Sequence, residues 1–210
     1  MGRQRDAVKT KNIIISSAMA LFAKKGFDGV SVDLIANEAK INKAMIYYYF
    51  KNKAKLYEVV INTVLDEIYE QIVLKTKDAV KPKDELKIFI ETFVKFAWNN
   101  PYLSSLMLAE LGNGAKNLPD NVFVGLRKIF SLLSDILKRG EESGCFYGVE
   151  PIIIHFMITG TINLFICTRG LRKRVSKEFG YSVCNSCKEE ELSSYIYEKV
   201  VKMLKGESPC

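Results

Sequence analysis

Apolar residues recur at three- and four-residue intervals along nearly the whole chain, and Pro82, Pro101, Pro119 and Pro151 fall between the periodic stretches rather than inside them. Ile14, Ala18, Leu21 and Phe22 share one face of a first helix, expected over about residues 8–25 and stopped by Gly26, whose access to positive φ suits a helix end. Ser31 is the expected cap of a short second helix, with Asp33 in its first turn and Ile35, Ala36 and Ala39 facing inward. Lys40-Ile41-Asn42 reads as a turn, and Asn42 caps a third helix running from Lys43 to about Tyr49, with Phe50 closing the apolar cluster. A long amphipathic helix follows from Lys53 to about Val80, then further helices over about residues 83–99, 102–111, 120–143, 149–171 and 188–205. No stretch sustains two-residue alternation, and no repeat of fixed period occurs, so the expected fold class is all-α.

Two short helices joined by a three-residue turn and braced by a third form a helix-turn-helix unit, whose second helix enters the major groove of DNA. Taking Lys43 as the origin at about 100° per residue, Ile46, Phe50 and Asn42 point inward near 300°, 340° and 260°. Lys43, Ala44, Tyr47 and Tyr48 occupy the opposite arc. That arc can read DNA: lysine reaches phosphates or guanine acceptors, alanine approaches thymine methyls closely, and tyrosine hydroxyls donate to phosphate oxygens. Lys53 opens the long helix, where free N–H groups and the helix dipole favour a phosphate. The opposing interpretation makes Tyr47, Tyr48 and Tyr49 core aromatics and the lysines a solvated face.

Charge placement favours the first interpretation. The chain has 210 residues and a formal charge of +7; residues 1–53 hold ten Lys and Arg against four acids, whereas the other 157 residues are nearly neutral. A compact basic head attracts polyanions, nucleic acid first. The expected division is a DNA-binding domain over residues 1–53 and a second domain over 54–210, which lacks the basic bias and wants a different partner, with the helix from Lys53 as the only covalent link.

Enzymatic classes shrink on composition. With a single histidine, His155, a site built from several imidazoles is excluded, and no Gly-rich phosphate loop occurs. Five cysteines spread through a chain with a sizeable core suggest reduced intracellular thiols, and a cytoplasmic protein is expected. Cys184 and Cys187 form a CxxC pair without a second ligand pair, so no metal site, cofactor or catalytic residue is expected; a helical enzyme or thiol redox sensor centred on His155 or that pair is the alternative. The basic start before the apolar run from Ile13 superficially resembles a signal peptide, but Ser16 and Ser17 interrupt it. Pro151 to Cys167 carries no formal charge, yet it is short for a span and contains His155, Thr159, Thr161 and Asn163, so a buried or subunit-interface helix is expected and no membrane partner.

The stretch from Ile13 through Val60 resembles the tetracycline-repressor (TetR) family of bacterial transcriptional regulators. It includes Ala20-Leu21-Phe22, Gly26-Phe27, Ser31-Val32, Ile35-Ala36, Ala39 and the run Met45 to Lys53. The resemblance implies an all-helical dimeric repressor of about nine helices that binds a pseudo-palindromic double-stranded operator and is released by a small-molecule inducer. It places the DNA contacts on Ser31, Asn42, Lys43, Ala44, Met45, Tyr47, Tyr48, Tyr49 and Lys53. Three departures stand out: Lys40 occupies a turn position where glycine is common, Asn42 replaces a serine cap, and apolar Val32 stands where some members carry a phosphate-binding hydroxyl.

Residues 86–165 are rich in large apolar side chains and their acids fall mostly at helix-surface spacing, which disfavours a multiply charged ligand. A hydrophobic or amphipathic inducer is expected, held by Phe93, Phe96, Met107, Phe130 and Phe156 and oriented by His155 or Asn163. His155, Thr159 and Asn163 lie along one helix face; they pair with each other, pair across a dimer seam or meet ligand. The last two helices resemble the family's dimerisation pair, with Leu192, Ile196, Val200 and Met203 forming an apolar face and Gly160 permitting close approach.

Overall fold

The computed structural model describes residues 2–180 and 187–205, and among them it contains ten α-helices and no strand. They are α1 (Gly2–Lys25), α2 (Val32–Ala39), α3 (Lys43–Phe50), α4 (Lys53–Thr76), α5 (Pro82–Asn99), α6 (Pro101–Gly112), α7 (Asp120–Glu142), α8 (Pro151–Cys167), α9 (Arg169–Phe179) and α10 (Glu189–Lys205). Proline opens α5, α6 and α8, where its missing N–H costs no intrahelical bond.

The structure corrects two expectations. The first helix begins well upstream of Val8, and the single helix expected over 149–171 is two, which raises the helix count above nine. The break lies at Thr168, where the axes of α8 and α9 diverge by 69°. Arg172 stabilises the corner: its Nη1 donates to the Phe165 carbonyl and to Thr168 Oγ1, and its guanidinium stacks 3.6 Å above the Phe165 ring. The composition switches there from uncharged α8 to the cationic α9, none of whose residues is buried.

The chain divides into two compact units. One comprises the residues up to Asp66 together with Ser105–Gly125; the other comprises Glu67–Ser104 and the residues from Leu126 onward. The chain passes between them within α4, α6 and α7, so α4 is not the only covalent link.

In the first unit Ile14, Ala18 and Phe22 of α1, Ile35 of α2, Ile46 and Phe50 of α3 and Leu56, Tyr57 and Val60 of α4 are all buried. Phe22 and Tyr57 meet edge to face at 4.7 Å, a favourable geometry for two aromatic quadrupoles. In the second unit α10 packs on α5 and α8, and α5 also packs on α8. Gly140 of α7 lets the Phe146 ring lie directly against the helix backbone; a Cβ there would overlap the ring. Among the described residues, no single helix is long and apolar enough to cross a membrane.

Candidate functional site

The turn between α2 and α3 is built by short-range hydrogen bonds. Ser31 adopts an extended backbone and its Oγ accepts from the Leu34 N–H at 3.1 Å, which leaves its hydroxyl proton available to a phosphate. Lys40 ends α2 in the left-handed region at φ 52°, ψ 46°, with its N–H bonded to the Ala36 and Asn37 carbonyls. Asn42 then caps α3, its Oδ1 accepting from the Ala44 N–H at 2.8 Å. Both expected caps are present, and Lys40 takes the positive φ that a glycine would adopt with less strain.

On α3 only Ile46 and Phe50 are buried. Asn42, assigned by angle to the inner side, is exposed because it spends its side chain capping the helix. Ala44, Tyr47 and Tyr48 are exposed, Tyr48 to 78%, so the aromatic run is not core; Lys43, Met45 and Tyr49 are half-buried, and Tyr49 meets the Tyr48 ring edge to face at 5.1 Å. Val32 is buried and packs inward instead of facing a ligand.

The two lysines differ. Lys43 Nζ lies 2.7 Å from Asp33 Oδ2, and that hydrogen bond raises the lysine pKa. Lys53, assigned to phosphate, points inward: its ammonium donates to the Phe27 and Val30 carbonyls at 3.0 Å each and stands over the Phe27 ring. Between α3 and α4, Lys51 has φ 65°, ψ −48°, and the Asn52 N–H bonds to the Phe50 carbonyl at 2.7 Å, the three-residue turn of positive φ that L-residues adopt only under strain.

A second polar pair in this unit is absent from the expectations drawn from the sequence. Glu110 is 2% exposed, not on a helix surface, and its Oε1 accepts from the fully buried Tyr57 hydroxyl at 2.6 Å. Oε2 is buried without a partner, and burial with the hydrogen bond raises the tyrosine pKa. The signal was legible: Glu110 follows Leu103, Leu106 and Met107 at seven, four and three residues, on their apolar face.

The seven candidate ligand residues are divided between the two units. Met107 belongs to the first unit and the other six to the second. Phe96 is buried; Phe93 is half-buried and stacks on Phe89 at 6.2 Å. The His155 ring lies edge to face with Phe130 at 5.7 Å and with Phe156 at 5.8 Å. Its Nδ1 is buried without a hydrogen-bond partner, and desolvation lowers its pKa below the ordinary 6.5. Thr159 Oγ1 bonds to the His155 carbonyl at 2.8 Å, so the polar row is satisfied in part by its own helix backbone. Asn163 is half-buried. Phe156 is 53% exposed and shares an outer face of α8 with Ile153, Met157 and Leu164.

That face borders an open apolar groove of about 770 Å³ between α8 and α10, lined by Met157, Phe165, Leu192, Tyr195, Ile196 and Met203 among others. A Cβ added to Gly160 would meet nothing within 4 Å in this chain. Cys184 lies outside the described residues. Cys187 is disulfide-bonded, contrary to the expectation of reduced thiols throughout. Among the described residues, no group of three or more His, Cys, Asp or Glu is placed to hold a metal ion.

Comparison with known proteins places these features. Residues 14–60 match the family described as bacterial regulatory proteins, tetR family, and residues 60–186 match the YsiA-like protein, C-terminal region. The chain is 30% identical over 171 residues to the biofilm operon icaADBC HTH-type negative transcriptional regulator IcaR of Staphylococcus aureus strain Newman, covering 81% of this chain and 87% of IcaR. It is 28% identical over 156 residues to the HTH-type transcriptional regulator RutR of Escherichia coli O157:H7, covering 74% and 73%. The fold is similar to that of the transcriptional regulator FadR from Bacillus subtilis in complex with stearoyl-CoA, with a TM-score of 0.72, 22% identity and coverage of 90% and 97%.

Proposed function

We propose that this chain, which belongs to the tetR family of bacterial regulatory proteins, is a repressor that binds a pseudo-palindromic operator as a homodimer and releases it when a hydrophobic or amphipathic small molecule binds. The observation that carries the DNA reading is the outer face of α3: a capped eight-residue helix presents Lys43, Ala44, Tyr47 and Tyr48 while Ile46 and Phe50 anchor it. Ser31, Asn42, Met45 and Tyr49 border that face and supply backbone-positioning contacts. Lys53 acts from behind it, by holding the α1–α2 connection in place. The proposed DNA-binding domain extends beyond residue 53, because α4 as far as Asp66 belongs to the same compact unit.

The homodimer is supported by the apolar outer face of α8 and the groove beside α10, which a second copy would cover. Phe156 belongs to that face and is reassigned from ligand to dimer contact. For the ligand, the half-buried Phe130 and the unpartnered Nδ1 of the His155 ring that it meets edge to face offer one apolar wall and one polar anchor. The stearoyl-CoA in the FadR complex is amphipathic, as the ligand proposed here is, but its coenzyme A moiety is multiply charged, which the proposed ligand is not.

Release is a population shift: a ligand that prefers the dimer whose recognition helices do not match a half-site spacing of about 34–36 Å draws the protein off its operator. A mobility-shift titration with the DNA upstream of the protein's own gene, at low and moderate salt, tests the reading. A complex that weakens with salt is expected; no complex at low salt rejects it.

A further inference from the structure

Among the acidic side chains of α2 and α3, Asp33 reaches a cation of the recognition helix. It stands in the first turn of α2, and its carboxylate holds the Lys43 ammonium at 2.7 Å; both side chains remain substantially exposed. Lys43 is the first residue of α3, where the helix dipole repels a cation, so an external carboxylate is the favourable partner for its ammonium. The Tyr47 ring lies 5.9 Å from the same ammonium and flanks it on the exposed face.

A basic head binds any DNA through phosphates, and each lysine engaged adds one released counterion to that non-specific affinity. A lysine already neutralised by a carboxylate contributes little, and a base-edge acceptor must compete with that carboxylate to win it. Specificity is a difference of affinities, so a contact withheld from arbitrary DNA sharpens it as much as one added to the operator.

We propose that Asp33 is a specificity-determining residue for operator binding: it keeps the Lys43 ammonium from the phosphates of arbitrary DNA and yields it to a guanine acceptor within the operator. The inference rests on the operator-binding reading above. Asp33 acts through Lys43 and makes no DNA contact of its own.

The test is fluorescence anisotropy with two duplexes, the protein's own upstream region and a scrambled duplex of equal length and composition, over a salt series. Asp33→Asn is expected to bind the scrambled duplex roughly 3–10-fold more tightly, with a salt slope steeper by about 0.9, and to lower the ratio of upstream to scrambled affinity. Asp33→Glu should keep the wild-type ratio. In a Lys43→Ala background, Asp33→Asn should change neither affinity. An unchanged ratio in Asp33→Asn overturns the proposal, and so does an equal gain in the Lys43→Ala background, which would make Asp33 a general repulsive charge. Wild-type protein that binds neither duplex at low salt rejects the operator reading and this inference with it.

Discussion

The ammonium of Lys53 stands 4.1 Å above the centre of the Phe27 ring and donates a hydrogen bond to the carbonyl of the same residue. A second bond, to Val30, ties the start of α4 to both ends of the turn that delivers the chain into α2. A cation held by two carbonyls and a ring face closes a loop that contains α2 and α3.

Lys53→Met should therefore destabilise the DNA-binding unit by about 1.5–3 kcal/mol, the range for hydrogen bonds to a charged group. Chemical denaturation measures the loss. The salt slope of operator binding should be unchanged at a temperature where the variant is folded. A stable variant with a flattened slope would return Lys53 to the phosphate role.

Tyr57→Phe removes the donor that satisfies Glu110 and leaves a buried carboxyl group without a partner, a loss of about 1–3 kcal/mol. Tyr57→Phe with Glu110→Leu should recover much of that loss, because exchanging both partners for apolar groups removes the unsatisfied atoms. Denaturant midpoints of the two single variants and the double variant decide it; additive losses would contradict the pairing.

Lys40→Gly should raise stability by about 1 kcal/mol, since left-handed backbone is costly for a residue with a Cβ while glycine adds some unfolded-state entropy. Thermal melts read the gain. Ala at the same position should give none.

His155 carries a sign that pH can expose. Burial lowers its folded pKa below the unfolded value of 6.5, so the unfolded chain binds a proton first as pH falls, and stability declines from about that value downward. His155→Gln should lose less thermal stability than wild type between pH 7.5 and 5.5, both values chosen to bracket an ordinary histidine pKa of about 6.5. Identical pH dependence of the two proteins would show that the ring is protonated equally in both states.

Met157→Glu and Tyr195→Glu place charges on the groove between α8 and α10. Sedimentation velocity should show each variant shifted to monomer while far-ultraviolet circular dichroism retains the wild-type helix signal. A variant that stays dimeric would move the interface elsewhere.

Local chemistry made the helices and caps readable in advance. Ser31 and Asn42 cap through bonds to N–H groups two or three residues away, and Gly26 and Lys40 terminate helices by their own backbone geometry, so a short window of sequence contains the whole cause. The outward arc of α3 follows equally from helical angle and from the burial of Ile46 and Phe50. Partners distant in sequence needed the fold. Lys53 is 26 residues from Phe27 and Tyr57 is 53 from Glu110, and no periodicity says which carbonyl or hydroxyl a side chain will meet. The same holds for Phe156, which looks like a pocket aromatic by composition and becomes an outer-face residue only because α8 turns Ile154, Ile158 and Ile162 toward the core. Tertiary structure decided these roles because an apolar side chain has no preferred partner of its own: burial is non-directional, and packing alone selects which face of a helix is spent on the core and which is left for something else.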